Sequence, residues 1–220
     1  MSDRRSTAPL SDEQDLLIRD EDQIAAMEAR NGLLQFDEVL RLVEQAAQVQ
    51  QIEITPELIA HLNRLAIQRI RRSAGSLRTI GIQILNTPHQ PPPHEEVDKL
   101  LGEMCVYVNR NWRSRNDDLA DALHSAAYLM WRLNWIHPFR DGNGRTSRAV
   151  SYLALSVRIG QLLPGSPTIA DLIVENRQPY YEALDEADAA WQRGIVDVGA
   201  MEALLRRLLK AQIESGFRAR

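Results

Sequence analysis

His137-Pro138-Phe139-Arg140-Asp141-Gly142-Asn143-Gly144-Arg145-Thr146-Ser147-Arg148 gathers an imidazole, a carboxylate, two glycines and two spaced arginines into one short run. Apolar helix-like sequence flanks it, from Leu119 to Ile136 and from Ala149 to Ile159. The polar run therefore reads as a turn held between two buried helices, chemistry on a rigid frame. Gly142 and Gly144 permit positive φ and let backbone N–H groups approach an anion. A helix starting near Asn143 or Gly144 would point its unpaired N–H groups and positive dipole end into the same hollow.

Arg145 and Arg148 lie three apart and share a helix face, a pairing that suits a polyphosphate better than a single phosphate. Asp141 beside bare phosphate would be repelled, and Mg²⁺ between carboxylate and phosphate oxygens resolves the conflict. His137, with an ordinary pKa of about 6.5, can take a proton from an attacking hydroxyl, and Pro138 stiffens the turn that aims it. Phe139 is the expected anchor, its ring buried beneath the loop. Each feature has a plainer reading alone, as cap, turn or solvated face; their convergence on one job favours a nucleotide site.

The run resembles the signature of Fic (filamentation induced by cAMP) domain proteins, His-Pro-Phe-x-[Asp/Glu]-Gly-Asn-Gly-Arg-x-x-Arg, with every specified position matched. The resemblance implies a mostly α fold, a helical bundle with a short β-hairpin flap over the active site. It implies a protein adenylyltransferase that moves AMP from Mg-ATP to a Ser, Thr or Tyr hydroxyl of a target protein and releases pyrophosphate. On it, His137 is similar to the general base and Asp141 to the Mg²⁺ ligand. Gly142, Asn143 and Gly144 form the anion cradle, with Arg145 near the β-phosphate and Arg148 near the γ-phosphate. Asn176-Arg177-Gln178-Pro179-Tyr180-Tyr181 resembles a second recurring segment of the family, implying that Asn176 and a tyrosine, Tyr180 or Tyr181, line the adenine pocket.

The same resemblance gives the N-terminal region a regulatory role. Autoinhibited relatives carry [Ser/Thr]-x-x-x-Glu-[Gly/Asn] on a helix whose Glu occupies the second signature arginine, which would be Arg148. Glu28 is the nearest match, although Ile24 stands at the Ser/Thr position and Ala29 at the Gly/Asn position. Glu28 is thus the candidate inhibitory residue. Other Fic-like nucleotidyl or phosphoryl transfer, removal of AMP, and a non-catalytic helical interaction protein are the alternative readings.

The chain has 220 residues and is 44% hydrophobic, enough for one sizeable core. A formal charge of -4 argues against binding nucleic acid through a broad basic surface. Arg69, Arg71 and Arg72 read as charge at a helix end. Cys105 is the single cysteine, so no internal disulfide is available, and its apolar neighbours suggest a buried thiol. No apolar run is long enough for a bilayer, and residues 1–6 lack a signal-peptide core, so cytoplasmic residence without membrane attachment is the expectation. An antitoxin partner and self-association both stay open.

In chain order, residues 1–19 read as a flexible tail and 20–49 as a helical extension, broken into two helices at Asn31-Gly32. Residues 50–220 read as the Fic domain. Thr55-Pro56 predicts a helix start, with the helix running to about Arg72. Leu77 to Leu85 alternates isoleucines with polar residues or Gly and predicts a strand. On the resemblance it is the flap, in which Thr79, Ile80, Gly81 and Ile82 would pair with a strand of the target. His89 and His94 are expected at the surface and His124 in a structural role.

Overall fold

The computed structural model describes residues 14–49, 52–85, 87–114 and 118–218. Among them run eight α-helices: α1 (Glu21–Val49), α2 (Pro56–Ile67), α3 (Val97–Ser114), α4 (Leu119–Ile136), α5 (Asn143–Ile159), α6 (Ile169–Glu175), α7 (Gln178–Gln192) and α8 (Gly199–Arg218). A single 3₁₀ turn, His94–Glu96, leads into α3.

Helix α4 is the centre of the bundle because it is apolar on every face. Ala126, Ala127, Leu129, Met130, Trp131 and Leu133 are all buried, and α3, α5, α7 and α8 pack around it. The carboxylate of Asp118 starts the helix by accepting the Asp121 N–H at 2.8 Å. It stops at His137, which adopts the left-handed conformation (φ 50°, ψ 60°), and Pro138 forbids continuation. Helix α5 returns antiparallel to α4 and is covered on its other sides by α1, α2 and α6. The turn between α4 and α5 is therefore fixed at both ends by buried helices.

Thr55 caps α2 by accepting the Leu58 N–H at 3.2 Å. The helix ends at Ile67, short of the expected Arg72, because Gln68 is extended (ψ 147°) and Arg69 takes a positive φ of 63°. That reversal turns Arg71 back toward the site. Helix α1 runs unbroken through Asn31-Gly32, contrary to the expected break. Asn31 is buried, and its amide donates to the carbonyls of Gln68 at 2.8 Å and Ala66 at 3.4 Å. With its polar side chain satisfied by the end of α2, the pair gains nothing by leaving the helix.

Residues 14–17, assigned to the tail by composition, are docked. Asp15 accepts the Ser73 N–H and hydroxyl, each at 2.8 Å, and Leu17 donates its N–H to Ile70 at 2.9 Å. Residues 1–13 lie outside the described residues.

The β-hairpin flap is not formed: the described residues contain no strand. Leu77 makes one antiparallel bridge, to Phe139, and Arg78 donates its N–H to Pro138 at 2.9 Å. Thr79, Gly81 and Gln83 are exposed while Ile84 is buried, so the alternation of the sequence survives as alternating cover. Alternation sets which side chains face inward; a strand also needs a backbone partner, and here the signature turn takes that place only at Leu77 and Arg78. His89 also departs from expectation. Its side chain is buried, with Nε2 2.8 Å from the Trp135 carbonyl and Nδ1 3.8 Å from Asp188.

Candidate active site

The turn is pinned from beneath. Phe139 is 1% exposed, and Asn143 clasps it by accepting its N–H at 3.0 Å and donating to its carbonyl at 2.8 Å. Asn143 is buried and so committed to the loop, where it shapes the cradle while facing protein. Asn63 of α2, also buried, donates to the Asp141 carbonyl at 2.9 Å and to Thr146 Oγ1 at 3.2 Å. Nothing in the sequence around Asn63 marked it, since a buried amide serving distant backbone has no periodicity.

Gly142 has φ 76°, and a Cβ there would stand 2.8 Å from Ile67 Cγ2 and 3.0 Å from Asn63 Nδ2. Both the dihedral and the close approach of α2 demand glycine. Gly144 differs from expectation: it lies in the first turn of α5 without a positive φ. The helix begins at Asn143, one of the two starts the sequence offered, and Thr146 makes its first backbone bond, to Gly142 at 2.9 Å. The N–H groups of Asn143, Gly144 and Arg145 have no acceptor among the described residues. They form an open helix N-terminus suited to an anion.

His137 caps α4, and its ring Nδ1 lies 3.3 Å from the Asn134 carbonyl. A hydrogen on Nδ1 facing that oxygen leaves Nε2 as the basic nitrogen. Asn134, unmarked in the sequence, also donates to Ser147 Oγ at 2.8 Å and to the Tyr180 hydroxyl at 2.9 Å. Tyr180 and Tyr181 are both buried, their ring centroids 5.5 Å apart, whereas Asn176 is exposed at the end of α6. Tyr180 is thus joined to the turn through Asn134, while Asn176 stands apart in the solvent.

Asp141 is surrounded by donors. Arg71 Nε reaches Oδ2 at 2.7 Å; the Gly142 N–H reaches Oδ1 at 2.6 Å and Arg145 Nη2 the same oxygen at 3.4 Å. Burial works to raise its pKa, but the charges of Arg145 and Arg71, the Arg71 hydrogen bond and the Gly142 N–H outweigh it. They hold the carboxyl below its ordinary value. Arg71, read from sequence as helix-end charge, is instead ion-paired to the signature turn at Asp141, delivered by the positive-φ reversal after α2.

Glu28 contacts the first signature arginine, not the second. Its Oε1 accepts from Arg145 Nη1 at 2.9 Å. Arg148 has no hydrogen-bond or ion-pair partner among the described residues and lines a groove of about 620 Å³ with Gly32, Phe36, Tyr152 and Leu163. The register along α1 explains the difference: Gly32, one turn beyond Glu28, faces Arg148, while Glu28 sits over the first turn of α5.

A family model described as the Fic/DOC family matches residues 53–155. The chain carries a Fic domain. The protein adenylyltransferase Fic of Nematostella vectensis is 28% identical over 159 residues, covering 72% of this chain and 34% of that protein. The protein adenylyltransferase fic-1 of Caenorhabditis briggsae is 31% identical over 141 residues, covering 63% and 25%. Among solved structures, residues 134–508 of Fic-1 from C. elegans superpose with a TM-score of 0.64 at 25% identity, over 86% of this chain and 51% of that one. The chain spans about a third of the length of the first of these relatives. The matched Fic domain contains α2 to α4 and most of α5, and hence the whole signature turn.

Proposed function

We propose that this chain is a protein adenylyltransferase that transfers AMP from Mg-ATP to a Ser, Thr or Tyr hydroxyl of a target protein. The observation that carries the reading is the open N-terminus of α5. Three unpaired N–H groups and the uncommitted Arg148 follow directly on a turn that begins with His137. The naming of the matched relatives as protein adenylyltransferases supports the same chemistry.

In this reading, His137 Nε2 takes the proton of the target hydroxyl as that oxygen attacks the α-phosphorus. The bond from that phosphorus to the bridging oxygen breaks and pyrophosphate leaves. The N–H groups of Asn143, Gly144 and Arg145, with Arg148, hold the charge of the departing group. Asp141 fits a single-carboxylate magnesium site. It is partly exposed and held in its ionised form, and Mg²⁺ needs only one or two carboxylates when phosphate oxygens and water complete its shell. Arg71 would have to give up Oδ2. Bound there, the ion would supply positive charge to offset that of the phosphates. Asn176, Tyr180 and Tyr181 are assigned to the adenine end. The buried tyrosines would support its floor through Asn134, which leaves direct contact to Asn176. Thr79, Ile80, Gly81 and Ile82 are assigned to the target, whose backbone would complete the pairing that Leu77 begins.

Residues 20–49 act in this reading as a regulatory extension on the Fic domain of residues 50–220, with Glu28 as a brake. Both members of the Glu28–Arg145 pair are partly exposed, and such pairs are worth at most about 1 kcal/mol. Glu28→Gly should therefore lower the KM for ATP by up to about fivefold, with little change in kcat. Steady-state kinetics of AMP transfer checks this, and an unchanged KM would remove Glu28 from regulation.

Mass spectrometry of a lysate incubated with the protein, ATP and Mg²⁺ tests the proposed function. Adenylate on Ser, Thr or Tyr side chains is expected, and phosphate alone in its place would refute it.

A further inference from the structure

Arg78 was unmarked in the sequence and is 2% exposed. No carboxylate pairs with it among the described residues. Main-chain oxygens surround its guanidinium instead. Nε donates to the His137 carbonyl at 2.8 Å, Nη2 to Pro92 at 2.6 Å and Ile136 at 3.3 Å, and Nη1 to Ile80 at 3.2 Å. A buried cation with carbonyl partners on three separate stretches of chain is costly to assemble and is expected to serve a purpose. Burial lowers its pKa, yet from a starting value so high that the group stays charged.

The last carbonyls of a helix need donors, and a left-handed cap usually supplies them from the two N–H groups that follow. The His137 N–H does its part, reaching Leu133 at 2.9 Å. Pro138 has no N–H to give. Arg78 supplies the missing donors and places positive charge at the negative end of the α4 dipole. At that point His137 itself holds a left-handed backbone conformation that is strained for a non-glycine residue. The strain persists only if something outside the helix holds it.

We propose that Arg78 is the positioning residue for His137: its guanidinium caps α4 and fixes the left-handed backbone that presents the imidazole, without itself binding nucleotide. Through Ile80 and Pro92 it also ties the segment assigned to the target, and the chain that follows that segment, onto the same cap. A loss of Arg78 thus disturbs the base and the acceptor surface together. The inference rests on reading His137 as the base.

Arg78→Gln and Arg78→Lys in the full chain test it with two readouts. The first needs no turnover. Histidine labelled with ¹³C is followed by NMR, with the His137 signals among those of the five histidines identified by their loss in His137→Ala. The His137 Cα shift should leave its left-handed value in Arg78→Gln and move part-way in Arg78→Lys, whose ammonium cannot fork to four carbonyls. The second readout is kinetic. A misplaced base should cost kcat about 100-fold in Arg78→Gln and about tenfold in Arg78→Lys, with KM for Mg-ATP within about twofold of wild type. Wild-type His137 resonances in either folded variant, or a rise in KM without a fall in kcat, would overturn the proposal. Should Arg78→Gln fail to fold, Arg78→Lys decides alone. Should the wild-type protein transfer no AMP, the functional reading falls and the NMR readout still judges Arg78.

Discussion

His137→Ala should lower the rate of AMP transfer by roughly 10²–10⁴-fold while the affinity for Mg-ATP stays within about twofold, the pattern of a base that acts in the transition state. The geometry dictates the separation. The imidazole sits at the end of α4, held by that helix and by Asn134, whereas the groups assigned to phosphate belong to α5. The variant also keeps its fold, because the contacts that secure the turn are those of Phe139, Asn143 and Asn63. Pyrophosphate release measured alongside nucleotide binding by calorimetry separates the two effects. A variant that lost both together would show His137 to be a binding residue.

Asp141→Asn should be nearly as damaging and, unlike His137→Ala, should also change stability. The amide keeps the shape but removes the carboxylate that Arg71 and Arg145 share, so each guanidinium keeps only its second anion, Asp15 at 3.7 Å for Arg71 and Glu28 at 2.9 Å for Arg145. On the proposed reading the magnesium ligand would go with it, and loss of such an interaction should cost about 100-fold or more in rate, with the Mg²⁺ requirement rising. The pH dependence has a definite sign. The carboxyl has a lower pKa in the folded chain than its ordinary value, so its stabilisation is complete above that value and is lost as pH falls through the folded one. Wild type should therefore melt above Asp141→Asn near neutral pH. The gap should close below about pH 4, where the unfolded carboxyl protonates. A gap that stayed constant into acid would mean that charge at Asp141 is not what holds the turn.

Cys105 offers a contrast. Burial among apolar side chains pushes its thiol up to about 12, so it stays protonated and unreactive at neutral pH, as its setting in the sequence suggested.

How much of this was legible without coordinates depended on the kind of interaction. The start of α5 at Asn143, the buried Phe139 and the Thr55 cap follow from local rules of dihedral angle, apolarity and capping, and each is where those rules put it. Arg71, Arg78, Asn63 and Asn134 were illegible because each serves the turn through a side chain that reaches backbone or charge far away in sequence. Long-range polar bonds leave no period to read. Asn31 shows the converse error: a residue that would break an exposed helix is harmless when the end of α2 supplies its acceptors. The isoleucines of residues 80–84 show a third case, in which the alternation was read correctly but the missing partner strand was not something alternation can announce.

The central claim is that the turn moves the AMP part of ATP, and the most direct measurement uses ATP carrying its label in either the α- or the γ-phosphate. Label from the α-phosphate alone should appear on protein in the presence of Mg²⁺, and should vanish in His137→Ala. Label from the γ-phosphate on protein, with none from the α, would make this a phosphoryl transferase and contradict the account.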